Sequence, residues 1–359
     1  MLFKKIAFRV DSSTQIGSGH VVRCLNLADS LKKMGGHCHF FCRNIEGNLI
    51  SLIRKRGFKV SVFDFEASAR YKTFHNFTLE DWEFDVRKTL ASIDADHFDW
   101  MIVDHYELDS KWEGALRKKC DHLMAIDDIA NRPHNCDILV DQNYEDFSRY
   151  NNLVPKRCVL LLGPKYALLR HEYAQYRKFR IEEKRDSLVN KVLVYFGGSD
   201  PQDLTGKALE ALSLPNLNSL NLDIVLGGNY AYFERLEKFA RRRGRTQIFM
   251  ALDHLADLMV KADIAIGGGG VTNWERICIG LPSIVITMAD NQVPISKILD
   301  QNGVIRLIGS SEVVGVKDIY NAFLEEIDSS FISSRALVAM NLCDGMGLDR
   351  VLNEMKSIQ

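Results

Sequence analysis

Two stretches of this 359-residue chain run from glycine straight into a helical pattern, and each could press backbone N–H groups against an anion. The first is Gly17-Ser18-Gly19-His20, which follows an apolar run ending at Val10-Asp11 and a polar loop from Ser12 to Ile16. A dinucleotide fingerprint would place a third glycine where Val22 stands, so the match to a nicotinamide site fails. Taken locally, Gly17 and Gly19 read equally as a ligand cradle and as a turn whose histidine caps a helix. Position favours chemistry at His20. The positive end of a helix dipole favours a neutral imidazole, and a neutral imidazole can take a proton as a general base.

The second stretch is Ala265-Ile266-Gly267-Gly268-Gly269-Gly270-Val271-Thr272-Asn273-Trp274-Glu275. Glycines leaving a strand and opening a helix make an N–H-rich nest suited to a diphosphate, with Gly269, Gly270, Thr272 and Asn273 as its expected contacts. Glu275 has two readings: a carboxylate accepting both ribose hydroxyls of a nucleotide, or the far half of a capping box begun by Thr272. Other candidates stand where apolar runs end: Asp104-His105-Tyr106, Asp127-Asp128, Gly197-Gly198-Ser199-Asp200, Gly227-Gly228 and Asp290-Asn291-Gln292. In a parallel sheet those ends share the ligand-binding edge, so Asp11, His20, His105 and Tyr106 are expected to converge there.

Two groupings carry metal-like letters. His37-Cys38-His39-Phe40-Phe41-Cys42 alternates as a strand does, and no second ligand cluster with structural-zinc spacing follows it. Asp94-Ala95-Asp96 precedes a strand, the wrong edge for a metal–nucleotide contact. Neither a metal nor a cofactor is expected.

The elements that must position these residues follow a steady rhythm. Strands are expected at 4–10, 38–42, 58–63, 99–104, 122–127, 136–140 and 158–162, then at 191–196, 222–226, 246–250, 263–267, 283–287 and 304–308. Val21, Cys24, Leu25, Ala28 and Leu31 recur at helical spacing between the first two, and Gly35-Gly36 ends that helix. Alternation of this kind means right-handed βαβ units and mostly parallel sheets. The charged stretch 170–187 breaks the rhythm as a linker or an exposed linking helix, giving an N-terminal domain over 1–165, a linker over 166–189 and a second domain over 190–335, with a helical tail over 336–359.

Composition narrows the class. Hydrophobic residues make up 46% of the chain, and 46 basic residues balance 47 acidic ones, so a basic nucleic-acid-binding surface is not expected. No apolar run approaches the roughly 18–20 residues of a membrane span. The opening residues Met1 to Val10 read as a strand, their apolar core being too short for a signal peptide. Eight cysteines scattered without a C-x-x-C pair fit a reducing cytoplasm.

Taken in order, these segments resemble the UDP-2,4-diacetamido-2,4,6-trideoxy-β-L-altropyranose hydrolases of pseudaminic acid biosynthesis. The resemblance rests on Phe8-Arg9-Val10-Asp11-Ser12, Gly17-Ser18-Gly19-His20 with Arg23-Cys24, Asp104-His105-Tyr106, and Ile126-Asp127-Asp128 with Arg132-Pro133-His134. It continues through Tyr166 to Arg170, Gly197-Gly198-Ser199-Asp200, Trp274-Glu275-Arg276 and Ala289-Asp290-Asn291-Gln292, covering about residues 6–305. It implies a GT-B architecture, two Rossmann-like domains facing a central cleft, related to the lipid-II-forming N-acetylglucosaminyltransferases. It also implies UDP held mainly by the second domain, His20 as catalytic base and Tyr106 on the sugar side. Asp11, Ser12, Gly17, Gly19, Arg23 and His105 would line the substrate in the first domain. Gly198, Ser199, the 269–275 segment, Asn291 and Gln292 would line it in the second. In GT-B proteins a terminal helix returns to the first domain, and 334–342 is a candidate part of it.

Physical chemistry fits that expectation. A phosphate group whose last pKa is about 6 leaves readily as a dianion, so water needs a base more than the leaving group needs an acid. Three other readings share the UDP site: a GT-B glycosyltransferase passing the sugar to an alcohol, a hydrolysing UDP-sugar 2-epimerase, and a silent UDP-sugar-binding protein.

Overall fold

The computed structural model describes residues 3–14, 16–64, 79–93, 97–143, 146–182, 188–198, 200–228, 230–250, 252–327 and 329–358. The chain forms two compact units, Met1–Leu168 with Gly347–Gln359, and Leu169–Met346.

In the first unit the order is β1 (Lys5–Val10), α1 (Gly19–Lys33), β2 (His37–Arg43), α2 (Ile50–Lys55), β3 (Lys59–Phe63), α3 (Leu79–Ile93) and β4 (Phe98–Asp104). There follow α4 (Ser110–Leu116), β5 (Cys120–Ile126), β6 (Ile138–Asp141) and β7 (Val159–Leu162). The strands lie in the order β3-β2-β1-β4-β5-β6-β7 and pair in parallel. Both faces of this sheet are covered, as parallel sheets require. Along β1, Ile6, Phe8 and Val10 enter one apolar cluster while Ala7 enters the other. Neighbours change side between β1 and β4: β2 lies on one flank of β1 and β4 on the other, which makes a topological switch point.

The second unit runs α5 (His171–Glu182), β8 (Lys191–Tyr195), α6 (Leu204–Ala211), β9 (Asn221–Leu226), α7 (Phe233–Arg243), β10 (Thr246–Met250) and α8 (Ala256–Lys261). It continues with β11 (Ile264–Gly268), α9 (Val271–Ile279), β12 (Ser283–Thr287), α10 (Gln292–Gln301), β13 (Arg306–Ser310), α11 (Val316–Glu326) and α12 (Ser329–Leu342). Its parallel sheet is ordered β10-β9-β8-β11-β12-β13, with the switch point between β8 and β11. All the strands expected from the apolar runs are present, within a residue or two at their ends.

Two expected boundaries differ. The charged segment read as a linker supplies α5, which packs on α8 and α9 within the second unit. Its arginines are spent on helix ends, where backbone carbonyls lack partners. Arg180 Nη1 donates to Ala262 O at 2.7 Å beyond α8, and Arg177 donates to Cys278 O at 2.9 Å and Met340 O at 2.8 Å near the ends of α9 and α12. The return to the first unit starts at Gly347 rather than 336, because α12 packs on α9. The returning helix, α13 (Gly347–Ile358), buries Leu348, Val351, Leu352 and Met355 in the core shared with α1. Only glycine fits at 347, where a Cβ would stand 2.2 Å from Ala167 O.

Candidate active site

In the first unit, α1 starts at the switch point beside the carboxyl end of β4. Gly17 has φ +80° and donates its N–H to Ser13 O at 2.9 Å, turning the chain into Gly19, the first helical residue. Ser18 occupies the cap position without a side-chain cap, so the first N–H groups of α1 take no partner from it.

His20 sits one residue into α1 and is 6% exposed. Its Nδ1 lies 2.5 Å from Asp104 Oδ1. An ionised carboxylate only accepts, so Nδ1 carries a hydrogen, and in the neutral ring Nε2 is the nitrogen with the lone pair. Among the described residues Nε2 has no hydrogen-bond partner. Burial alone would raise the Asp104 pKa, but Arg23 and then His20 hold it well below the usual carboxylate range. Arg23 grips Asp104 with Nε at 2.6 Å and Nη2 at 2.7 Å, and reaches Asp128 Oδ1 with Nη1 at 2.9 Å. Asp128 in turn accepts from Tyr106 Oη at 2.7 Å and Asn143 Nδ2 at 2.7 Å. The Tyr106 ring meets the His20 ring edge-on, centroids 4.5 Å apart at 80°. Burial and then the Asp128 charge raise the Tyr106 pKa well above its ordinary value, so it stays a donor.

The other first-unit candidates turn inward. Asp11 has a fully buried side chain that accepts from Arg9 Nη2 at 2.9 Å, Arg43 N at 2.7 Å and Arg43 Nε at 2.6 Å. His105 Nε2 lies 3.2 Å from Asp11 Oδ2, and burial pushes its pKa down to about 4. Ser12 Oγ accepts from Leu49 N at 2.9 Å beside α2. Asp11, Ser12, Arg23 and His105, expected along the substrate, are 5% exposed or less and make these bonds with the protein's own groups. Of these four, Arg23 supports His20 and Tyr106, through Asp104 and Asp128. Asp128 and Asn143 complete that support. A tyrosine or carboxylate at a strand end is visible in sequence, but the arginine that joins two strand ends is not.

In the second unit, β8 leads through Phe196 into Gly197, where φ is +90°. Gly198 closes the turn against β9: a Cβ at Gly227 would stand 2.1 Å from Gly198 O. Ser199 lies outside the described residues, as do Asp94 to Asp96. Across the switch point, β11 ends at Gly268, and Gly270 caps α9 without a side chain. The nest is close-packed from behind. A Cβ at Gly269 would meet Ser296 Oγ at 2.8 Å and Gln292 Oε1 at 3.3 Å.

Because α9 begins at Val271 with Gly270 as cap, Thr272 and Glu275 do not form a capping box. Glu275 is buried, and burial pushes its pKa up to about 7, partly opposed by the neighbouring Tyr173 hydroxyl. Tyr173 Oη accepts from Leu255 N at 3.3 Å. Gln292 opens α10 beside the nest, its Oε1 accepting from Met288 N at 2.9 Å, while Asn291 is exposed at the cap position. Asn273, expected on the ligand, is buried, with its Oδ1 accepting from Arg276 Nη2 at 3.1 Å. It braces its own helix.

Two doubly covered parallel sheets, each with glycine turns or a helix start at its switch point, define a GT-B fold. MurG of Acinetobacter baumannii shares it, with a TM-score of 0.66 at 13% identity over 99% of both chains. No family model matches the chain. In sequence the chain is a relative of the UDP-2,4-diacetamido-2,4,6-trideoxy-beta-L-altropyranose hydrolase of Campylobacter jejuni, 29% identical over 71% of this chain and 81% of that protein. The spore coat polysaccharide biosynthesis protein SpsG of Bacillus subtilis is 25% identical over 95% of this chain and 94% of its own length. An uncharacterized protein of Methanocaldococcus jannaschii is 29% identical over 79% of this chain, which spans 55% of that longer protein. No described helix is long and apolar enough to cross a membrane, and no group of His, Cys, Asp and Glu among the described residues could hold a metal ion.

Proposed function

We propose that this chain hydrolyses UDP-2,4-diacetamido-2,4,6-trideoxy-β-L-altropyranose to UDP and the free sugar. The observation that carries the reading is the His20–Asp104 contact at the switch point, which fixes the imidazole in the tautomer whose Nε2 accepts. His20 Nε2 takes a proton from water as the water attacks the anomeric carbon. The carbon–oxygen bond to the diphosphate breaks, and UDP leaves with the electron pair. Water approaches the face away from the leaving group, so the anomeric configuration inverts. Tyr106 lies on the sugar side, with its hydroxyl held by Asp128.

The second unit holds UDP in this reading. Gly269, Gly270 and Thr272 contribute the helix start for the diphosphate, Glu275 accepts the ribose hydroxyls, and Gly198, Asn291 and Gln292 flank them. The diacetamido-trideoxy sugar comes from the Campylobacter relative, over 71% of this chain. Incubation with a panel of UDP-amino sugars and no acceptor tests the reading. UDP release from the diacetamido-trideoxy substrate is expected. Release only when an alcohol acceptor is added would assign the chain to sugar transfer instead.

A further inference from the structure

Arg276 stands out among the buried charges of the second unit. It is 2% exposed, and its Nε has no hydrogen-bond partner. Among the described residues it makes no ion pair. The acidic group that acts on it is Glu275, whose carboxyl is itself pushed up to about 7 by burial. Burial pulls the Arg276 guanidinium down to about 10, so at neutral pH it remains a cation. A buried cation without a paired anion is costly, and one that persists calls for a counter-charge.

Its location indicates where that counter-charge would come from. Arg276 Nη2 donates to Gly268 O at 2.7 Å, and a Cβ at Gly267 would stand 2.6 Å from Nη1. The guanidinium is therefore flush against the backbone that turns from β11 into α9. Beside the same turn, the fully buried Ser296 Oγ is also without a partner, 2.8 Å from where a Cβ at Gly269 would lie. The uncapped N-terminus of α9 adds its partial positive charge.

The geometry points to Arg276 as the buried cation that sets the charge preference of the glycine nest, favouring a nucleoside diphosphate over a monophosphate or a nucleoside. This rests on the reading of the nest as a UDP site. Arg276 does not touch the ligand. It acts through the low-dielectric turn, where a charge is screened less than it would be in water. The binding of a polyanion supplies the missing counter-charge.

Calorimetric titration of the full chain with uridine, UMP and UDP tests the assignment. Arg276→Met is expected to weaken UDP about tenfold or more and UMP by less, with uridine within about twofold. Arg276→Lys, which keeps the charge but not the paired hydrogen bonds, is expected to retain most of the preference for UDP over uridine. A merely structural arginine would weaken all three ligands alike, and that result overturns the assignment. Should Arg276→Met not fold, Arg276→Lys decides: a collapsed UDP-to-uridine ratio overturns the proposal and a retained one supports it. If the unaltered chain does not bind UDP, the reading of the site falls. UDP binding indifferent to Arg276 sinks this inference alone.

Discussion

His20 has two ring nitrogens, and Asp104 decides which one carries the proton. Nδ1 is committed to the carboxylate at 2.5 Å, so the basic lone pair sits on Nε2. Arg23 lies between Asp104 and Asp128 and keeps both strand ends in register with the helix that bears the histidine. Replacing His20 by alanine is expected to lower turnover by about 10² to 10⁴, the span of a lost general base, with UDP affinity unchanged within a few-fold. Near-normal turnover in that variant would reduce His20 to a helix-start residue. His20 is legible in sequence because glycines and a histidine meet at one helix start. What Arg23 pairs with is not legible there, because nothing local reveals carboxylates 81 and 105 positions away.

At the scale of elements, a nucleotide held at the start of α9 as proposed would bind in a pH-dependent way. An acid whose folded pKa is raised favours the fold while protonated. For Glu275 that contribution is full below its ordinary 4.5 and is lost as pH rises through about 7. Accepting both ribose hydroxyls, one on each oxygen, takes the ionised form. Uridine affinity is therefore expected to weaken as pH falls below about 7, with the slope lost in Glu275→Gln. Titrations that give one affinity from about pH 5 to pH 8 would remove Glu275 from the ribose site.

The turns at the second switch point are equally exacting. Gly227→Ala forces a Cβ to within 2.1 Å of Gly198 O, while a Cβ at Gly228 meets nothing within 4 Å. The first substitution is expected to cost about 1–3 kcal/mol and the second almost nothing. Equal melting temperatures for the two variants would contradict the close approach. These turns are legible as glycine after a strand, but which glycine is sterically required depends on a neighbouring strand and is not. The same limit explains α5. Its charges read as a linker or an exposed linking helix, whereas Arg177 and Arg180 cap helix ends about 80 to 160 positions downstream.

For the whole molecule, the alternation of short apolar runs with helical spacing was enough to give two parallel-sheet units, because a strand buried on both faces reads as continuous Val, Ile, Leu and Phe. The path of the last residues was less legible. α12 and α13 are both helical, yet they belong to different units, and only the apolar stripe of Leu348, Val351, Leu352 and Met355 matches the first core. His20 belongs to one unit and the glycine nest to the other, so the proposed labour divides between them. A nest of N–H groups with a buried cation behind it suits a departing diphosphate, and a histidine base suits water aimed at carbon. Hydrolysis of the diacetamido-trideoxy UDP-sugar in ¹⁸O-water, with mass spectrometry of the isolated UDP, tests this most directly. UDP without heavy oxygen is the expected result, and heavy oxygen in UDP would place the attack at phosphorus and contradict the role given to His20.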